Sequence, residues 1–532
     1  MGQNVSKDTS PPPLTLRNCL VQGQLDSSRY YSYRRRLHVL MLGNNRMVTK
    51  AKKKRKRQLM ELDIERKIRT PRSVKRHKLM VRDKDGTLRE IRPEDTLWYL
   101  LYVAQPPSSK RMMKLFRLRF RLPHSSFVSL CATIKTHELF RQWTRCDAVG
   151  CYPSNLDLLL LGALRYIGRA WTLDDVCEAN GISIDTNSVF LYRFMEYGST
   201  VLYKKWVLEP SITNSVQYQE KIFRLAGFNG CIGSSDATHI PMLKCPQWAH
   251  IAHKGFKLSV PARTYNVTVD HSRRIIGSTM GHPGTWNDKT LVLFDDLLCN
   301  VKNGKLHQDF EFKLMEKNDE GEIVEALYKG VWFMVDNGYL SWSCTVPPDG
   351  NATRYDIIRF SEWLESMRKD VECLFGIMKG RFCILRYGFR FKSIATCDMM
   401  WLTCCSLHNI LLEVDGLDKN WENGVRSDWE KLHKNFMQNG NQQNIETPFA
   451  ITRLNRHFAS EEDSSEEEVE EEQAGDATTN LSMRLDKYAI DGARIVSKIP
   501  LSLFKEALVQ HFNIRFQKND IIWPKRINLP TN

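Results

Sequence analysis

The sequence predicts an α/β domain that follows a helical domain, with polar tails at both ends of the chain. Two short runs of apolar and small residues, 231–235 and 331–335, each end in an aspartate, which is typical of buried strands. A longer stretch, from about Ser361 to Arg381, repeats apolar residues at steps of three and four, which is typical of a helix. Residues 1–95 and 416–532 are polar and weakly periodic, so we expect disordered tails apart from one C-terminal helix.

Length and charge narrow the class of protein. At 532 residues the chain exceeds one typical domain, and its hydrophobic content of 42% is sufficient for a core. The formal net charge of +16 favours a polyanionic partner, because lysine and arginine side chains that neutralise phosphates release counterions. Nucleic acid is therefore favoured over a membrane surface. The longest aliphatic run, residues 156–167, is interrupted by Asp157 and Arg165 and is too short to cross a bilayer, so we expect no integral membrane association.

The basic arm, residues 1–95, carries signals of localisation. Its densest cationic block consists of Lys52, Lys53, Lys54, Arg55, Lys56 and Arg57. Such a block is typical of nuclear localisation, so we expect the protein to be imported into the nucleus after its synthesis in the cytoplasm. The alternative is that the block only makes a solvated tail more soluble. The first six residues also fit the pattern for myristoylation of Gly2, which would make the arm a membrane anchor. The 14 cysteines include no C-x-x-C pair, and no secretory signal opens the sequence, so we expect free thiols in a reducing compartment.

Residues 96–225 are predicted to form a helical domain. Helical periodicity covers residues 156–167, 173–179 and 185–203, and Asn180-Gly181 marks a turn between the last two. Two short helices around a glycine turn are compatible with a helix-turn-helix DNA-binding domain, in which the second helix enters the major groove. Its first residues would then contact base edges, and these are Asn187, Ser188 and Arg193. The alternative is a helical bundle that only supports the domain that follows.

Residues 226–415 are predicted to form the α/β domain. Asp236 is predicted to lie near the end of the first strand. Pro241 then either ends that strand or places it at the edge of the sheet. A five-residue apolar run places Asp336 at the carboxyl end of another strand, before an Asn-Gly turn. Open α/β sheets bind ligands at that edge. Residues 264–269 and 274–279 are predicted hairpin strands, and residues 310–327 an added hairpin.

The helix that follows carries a third acid, Glu372. Its predicted core face consists of Trp363, Met367, Val371, Leu374, Met378 and Phe382. Glu372 lies off this face, together with Glu365, Arg368, Gly376 and Lys379. One helix can therefore direct a carboxylate and two cations, Arg368 and Lys379, at the same phosphate backbone. Five basic residues lie between the first two acids along the chain and are also candidates for contacts with DNA backbone, with surface solvation as the alternative: Lys254, Lys257, Arg263, Arg273 and Arg274.

Three carboxylates in these settings suit metal-dependent phosphodiester chemistry. Magnesium is a hard cation that prefers oxygen ligands, so one or two carboxylates and a substrate phosphate complete its shell. Two such ions about 3.5–4 Å apart activate the attacking oxygen and stabilise the leaving oxygen. Three acids, Asp236, Asp336 and Glu372, would suffice to hold such a pair of Mg²⁺ or Mn²⁺ ions and are the candidate catalytic residues. Taken singly, a strand-end aspartate more often caps a turn, and a helical glutamate is usually solvated.

Four ordered motifs resemble the PIF/Harbinger transposases, a branch of the DDE superfamily. They are Asp236-Ala-Thr-His-Ile-Pro, Pro283-Gly-Thr-Trp-Asn-Asp288, Val335-Asp-Asn-Gly-Tyr339 and Arg368-Lys-Asp-Val-Glu372-Cys-Leu-Phe-Gly. The resemblance covers roughly residues 150 to 415. It implies an RNase H-like catalytic domain, a mixed five-stranded sheet flanked by helices, with the three acids as metal ligands. The chain departs from the family pattern at Asn287, where histidine is more common, which leaves the role of Asp288 open.

The resemblance also implies a function. It predicts a DNA transposase that cuts double-stranded DNA at transposon ends and transfers the 3′-hydroxyl ends to target DNA. It further implies a homo-oligomer that pairs two ends, and a Myb-like accessory protein. The alternatives are a domesticated, non-catalytic DNA-binding adaptor and a metal-dependent nuclease without transposition activity.

Two further segments complete the organisation. Residues 416–532 comprise an acidic linker, densest at residues 461–472, and an amphipathic helix at residues 501–512 that docks on a partner or on the catalytic core. His408 and Asn409 stand in an apolar helix, where we expect hydrogen-bonded structural groups rather than catalysts.

Overall fold

The computed structural model describes residues 80–416 and 481–522, apart from 83–84, 91, 147–152, 212–213, 256 and 319. The predicted basic arm with its localisation block, the myristoylation pattern and the acidic linker lie outside these residues. A short antiparallel hairpin of β1 (Met80–Arg82) and β2 (Leu88–Glu90) opens the described part.

Five α-helices lie between residues 96 and 200 in the part of the chain that the structure describes. They are α1 (Lys110–Phe120), α2 (His124–Thr136), α3 (Leu156–Arg169), α4 (Leu173–Asn180) and α5 (Ile184–Tyr197). Side-chain oxygens of Asn155, Thr172 and Ser183 accept the first free backbone N–H groups of α3, α4 and α5, as good N-cap residues do. Gly181 ends α4 in the left-handed conformation. The helical prediction for these segments is confirmed, and two π-helical turns, Gly198–Leu202 and Lys204–Leu208, extend the last one.

A mixed sheet forms the centre of the second part. Its strands are β3 (Cys231–Pro241), β4 (Ala262–Val269), β5 (Ile275–Ser278), β6 (His282–Pro283), β9 (Trp332–Met334) and β10 (Thr345–Val346). Five of them follow the order β10-β9-β3-β4-β5, and β6 pairs with β4 beside this path. β4 is antiparallel to β3 and β5, whereas β9 is parallel to β3 and β10. The predicted mixed sheet and its first hairpin are confirmed, with a two-residue sixth strand added.

Helices flank this sheet. They are α6 (Val216–Leu225), α7 (His250–His253), α8 (Asp288–Val292), α9 (Asp296–Lys302), α10 (Tyr355–Arg381), α11 (Cys383–Tyr387) and α12 (Ile394–Val414). The longest, α10, packs on β3 and β4. Most of its predicted core face is buried: Met367, Val371, Leu374 and Met378 are at most 1% exposed. The helix begins six residues earlier than the sequence pattern suggested, at Tyr355.

A second sheet joins the added hairpin to the C-terminal segment. The predicted hairpin is formed by β7 (Glu311–Lys317) and β8 (Ile323–Lys329). After the linker, α13 (Leu481–Asp486) precedes β11 (Ala489–Ile490) and β12 (Ala493–Ile495), and α14 (Leu501–Gln517) follows them. Strand β12 pairs in parallel with β8, which gives the order β11-β12-β8-β7. Helix α14 packs on β7 and α10, so the predicted C-terminal helix docks on the α/β part of the same chain rather than on a partner.

One hydrophobic core connects the helical part to the central sheet. It runs from Trp98 in the helical part through the sheet to Leu411 in α12. Tyr265 of β4 stacks on Trp401 of α12 at 4.5 Å between ring centroids. A shared core of this kind is expected when a helical bundle supports the neighbouring sheet, which was the alternative for residues 96–225. DNA binding by a helix-turn-helix in the same residues remains a prediction. In the described residues, no helix combines the length and apolar character that a membrane span needs.

His408 and Asn409 have structural roles, as predicted. His408 is fully buried and contacts the Arg381 guanidinium at 3.0 Å and the Arg273 carbonyl at 2.9 Å. The Asn409 side chain accepts the Ile275 N–H at 3.0 Å and donates to the Ile275 carbonyl at 2.8 Å. Asn409 thus occupies backbone groups of edge strand β5 that would otherwise be buried without partners.

Candidate functional site

Strand register brings Asp236 and Asp336 to one edge of the central sheet. Ser234 of β3 lies opposite Met334 of the parallel strand β9, and this is the last paired position. Each aspartate follows two residues later. Asp236 continues along β3 and Asp336 follows the end of β9, and the charge of Asp336 raises the pKa of Asp236, so the two carboxylates lie near each other. Sequence spacing cannot show this, because register depends on the contacts of both strands.

The prediction that Asp236 lies near the end of its strand is wrong. β3 continues to Pro241, and its pairing with β4 extends from Ser234 to Pro241. Only the β9 side of the strand ends before Asp236. The long antiparallel partner keeps the backbone of β3 extended, while the short parallel neighbour leaves room beside the carboxylate.

Asp288 joins the two aspartates across Gly338. A Cβ atom built on Gly338 would lie 3.0 Å from Asp288 Oδ2 and 3.1 Å from Asp336 Oδ1, so both carboxylates face this glycine. The Gly338 N–H donates to Asp336 Oδ1 at 2.9 Å. Asp288 is the first residue of α8, and Asn287 is its N-cap, accepting the Thr290 N–H at 2.9 Å. Asn287, where the chain departs from the family pattern, is therefore a good N-cap residue for α8.

The pKa values of the aspartates reflect this clustering. Burial raises the pKa of Asp236 to about 6, and the charges of Asp336 and Asp288 add to the rise, while the Ala237 N–H and Arg368 oppose it. Burial also raises the pKa of Asp288, with Lys257 opposing and Asp336 reinforcing the change. The cluster thus concentrates negative charge in a poorly solvated place, which is characteristic of functional sites.

Arg368 connects Glu372 to this cluster. Its guanidinium, 8% exposed, donates to Glu372 Oε1 at 3.0 Å and to Glu365 Oε1 at 2.7 Å, and it lies 3.4 Å from Asp236 Oδ2. Burial lowers the pKa of Arg368, but the hydrogen bond and charge of Glu365, with Asp236 and Glu372, raise it above its ordinary value overall. The predicted DNA contact of Arg368 is therefore replaced here by ion pairs with the acids.

Lysine side chains lie near His239 and near Asp288. Burial lowers the pKa of His239 to about 4, and the charges of Lys257 and Lys379 lower it further, which places both lysines near this histidine. His239 Nδ1 contacts Thr264 Oγ1 at 2.8 Å. Lys257 is exposed and also acts on Asp288, so it lies beside the acid cluster. Lys254 is exposed on the same segment. These positions are compatible with the predicted contacts of Lys254, Lys257 and Lys379 with DNA backbone. The same prediction is wrong for Arg263 and Arg274, which are buried at 5% and 2% exposure; Arg263 pairs instead with Asp398 at 2.6 Å.

The three predicted base-contacting residues of α5 have different environments. Asn187 is 4% exposed, donates to the Ile182 carbonyl at 2.8 Å and accepts from Asn180 Nδ2 at 2.8 Å. We therefore correct this prediction, since Asn187 holds the turn between α4 and α5 and faces the core. Ser188 is half-buried. Arg193 is 49% exposed and pairs with Glu196 at 2.7 Å.

The donor set fits a hard divalent cation. Within the described part of the chain, no three histidine, cysteine or acidic side chains are close enough together to hold a metal ion as they stand. The guanidinium of Arg368 separates Asp236 from Glu372, since it contacts both. The oxygen donors are nevertheless those that Mg²⁺ prefers, and burial of Asp236, with the nearby charges of Asp336 and Asp288, raises the pKa of its carboxyl, which a bound cation would oppose.

Comparisons with known proteins agree with the geometry of the site. Residues 235–409 match the family described as DDE superfamily endonuclease. This segment, about a third of the chain, begins immediately before Asp236 and includes Asp288, Asp336, Arg368 and Glu372. The match supports a DDE transposase-like family and a nuclease-type enzyme that acts on DNA, and domains of this type generally use divalent metal ions. Neither the curated proteins nor the solved structures gave a significant match.

Proposed function

We propose that the protein is a DNA transposase of the PIF/Harbinger type, which cuts at transposon ends and joins the 3′-hydroxyl ends to target DNA. The observation that carries the proposal is the convergence of Asp236 and Asp336 at equivalent register positions, with Glu372 linked to them through Arg368. The match of the same segment to the DDE superfamily endonucleases supports it.

In this proposal the chain's own residues have distinct roles. Asp236, Asp336 and Glu372 provide the oxygen ligands for two Mg²⁺ or Mn²⁺ ions. Ions bound there supply charge stabilisation and activate the attacking and leaving oxygens of an in-line displacement. Asp288 faces Asp336 across Gly338 and provides a fourth carboxylate that orients this set. Reactions of this type need no covalent protein intermediate.

Arg368 has a positioning role in the same proposal. It is bonded to Asp236, Glu365 and Glu372, so it holds the helix α10 against β3 through charge. A cation held by Asp236 and Glu372 would compete with the guanidinium for these two carboxylates and leave it Glu365 as partner. The guanidinium would then be available to a phosphate oxygen of the substrate, for which its geometry is well suited. The predicted DNA contact of Arg368 would thus belong to the metal-bound state.

The wider properties of the chain support a DNA substrate. The net charge of +16 favours a polyanion. Lys257 lies near Asp288, where it would contact a phosphate beside the scissile bond, and Lys379 lies near His239 on the neighbouring strand β3. Nuclear import through the block at residues 52–57, pairing of two ends by a homo-oligomer and help from a Myb-like protein are parts of the proposal that rest on the sequence.

One observation keeps a second candidate in consideration. The ion pairs of Arg368 engage Asp236 and Glu372 within the protein itself. The same arrangement would suit a domesticated, non-catalytic DNA-binding adaptor whose acids have become structural. A nuclease without transposition activity is the third candidate, and it uses the same acids as a transposase.

The proposal is tested by nicking of supercoiled plasmid that carries the element's terminal repeats, with Mg²⁺ or Mn²⁺. Asp236→Asn and Asp336→Asn should reduce nicking to background with the fold intact, as judged by circular dichroism. Glu362→Gln is the matched control, because Glu362 is an exposed acid on the same helix as Glu372. Full activity of either aspartate variant would refute the proposal. An inactive wild-type protein that binds DNA would favour the adaptor, and equal nicking of plasmids with and without the repeats would favour the nuclease.

A further inference from the structure

The connection between β3 and β4 carries the most exposed large apolar pair near the site. Trp248 is 81% exposed and Ile251 is 88% exposed. Both belong to the helical turns Gln247–Ala249 and His250–His253, and they are three residues apart, so they share one face. Single exposed apolar residues are ordinary, but an aromatic and an aliphatic side chain presented together mark an interaction surface. We call residues 247–254 the tryptophan arm.

The tryptophan arm has a rigid base. His253 is 3% exposed, and its Nδ1 lies 2.9 Å from the Ala249 carbonyl, to which it must donate. Its Nε2 is then an acceptor and lies 3.3 Å from Arg263 Nη1. Arg263 is in turn paired with the buried Asp398 at 2.6 Å. Trp248 therefore projects from a fixed support, which lowers the entropy cost of using it as a contact.

The same base docks the arm beside the acid cluster. Thr285 Oγ1 donates to the Ala252 carbonyl at 2.9 Å, and a Cβ on Gly284 would lie 2.5 Å from the His253 carbonyl. The loop at 283–285 leads directly into α8, whose first residue is Asp288. Lys257, just beyond the arm, acts on the pKa of Asp288. The arm and the acids thus border the same surface.

The charge of this region favours nucleic acid as the occupant. Residues 243–260 include Lys244, Lys254 and Lys257 and no aspartate or glutamate. Lysines beside an exposed aromatic ring are the combination that binds unpaired bases, since the cations contact the backbone and the ring stacks on a base. Apolar side chains can also enter between base steps and unstack them.

We propose that Trp248 stacks on an unpaired base next to the scissile phosphate, with Ile251 as a wedge beside it, so that the tryptophan arm selects locally opened DNA. This inference rests on the proposed function, because it takes the substrate to be DNA bound at the acid cluster. It adds that the strands are separated where they are cut. A second copy of the chain or another protein on this surface is the competing occupant.

Binding measurements without cleavage test the proposal. The probes are a fully paired duplex and a forked duplex of the same sequence, with 2-aminopurine as its first unpaired base, in buffer with EDTA. The wild-type chain should bind the fork more tightly and change the 2-aminopurine fluorescence. Trp248→Ala should weaken fork binding roughly 5- to 150-fold, equivalent to ~1–3 kcal/mol for one stacked base, and leave duplex binding unchanged. Trp248→Phe should retain most of the preference.

Tyr355→Ala is the matched control. Tyr355 is an aromatic residue with 85% exposure, and it lies roughly 25 Å from Glu372 along α10. This variant should behave as wild type on both probes. Lys254→Ala should weaken both probes alike and reduce the salt dependence of binding.

Three results would overturn the proposal: a wild-type chain without preference for the fork, a Trp248→Ala variant that keeps the preference, or a variant whose only change is in oligomeric state on size-exclusion chromatography. The last result would assign the arm to a protein partner. Because no cleavage is needed, an inactive nuclease would refute the proposed function and still allow this test.

Discussion

Replacing Asp236 with asparagine is expected to stabilise the metal-free protein at pH 8 although it removes a proposed metal ligand. Burial raises the pKa of Asp236 from 3.8 to about 6. Since one pKa unit corresponds to 1.36 kcal/mol, the ionised carboxylate costs the folded state about 3 kcal/mol relative to the unfolded chain. Asparagine carries no charge and does not incur this cost. Loss of the charged partner of Arg368 offsets part of the gain, so the expected net increase is about 1–3 kcal/mol in the free energy of unfolding.

The pH dependence of the difference identifies its cause. A carboxyl group whose folded pKa is raised stabilises the protein in its protonated form, and this contribution is fully present below pH 3.8 and lost as the pH rises through about 6. The advantage of the Asp236→Asn variant should therefore be complete above pH 7 and about half as large at pH 5. Other titrating groups are common to both proteins and cancel in the difference.

The assay is urea unfolding followed by tryptophan fluorescence, for both proteins at pH 5 and pH 8 without divalent ions. Addition of Mg²⁺ should then stabilise the wild type more than the variant, because a ligand of the folded state raises its stability. Glu362→Gln, at an exposed site on α10, is the control and should change little at either pH. A variant less stable than wild type at pH 8, or a difference that does not depend on pH, would refute the reasoning.

Two further predictions follow from packing and from a buried ion pair. Gly338→Ala should reduce metal-dependent nicking by at least about tenfold, because the new Cβ would meet the carboxylates of Asp288 and Asp336 at 3.0–3.1 Å. Gly376→Ala is the control, since Gly376 lies on an open face of α10, and it should stabilise the helix by up to about 1 kcal/mol. Equal nicking by wild type and Gly338→Ala would contradict this. Arg494→Ala should lower the free energy of unfolding by about 3–5 kcal/mol, because it leaves the fully buried Glu316 without its cation. A change below about 1 kcal/mol in urea unfolding would show that the C-terminal segment is not part of the stable fold.

Much of the secondary structure could be predicted from local patterns. The helix that carries Glu372, the strand before Asp336 and the hairpin of β7 and β8 each follow from periodicity and turn residues within a short window. The environment of Asn187 could not be predicted in this way. A residue in the first turn of a helix can contact either DNA or a neighbouring helix, and the local sequence does not distinguish the two. In the structure Asn187 is buried and bonded to Asn180 of α4, which excludes contact with DNA.

The candidate site divides along the same line. The sequence by itself determined which residue types are present and on which local element each acid lies, because helix and strand periods act over a few residues. Only the tertiary structure decided that β3 and β9 pair in a register that aligns Asp236 with Asp336, and that Asp288 joins them across Gly338. It also decided that Arg368 pairs with both Asp236 and Glu372. These contacts join residues far apart along the chain, and their energies depend on burial and on the charges of all neighbours together.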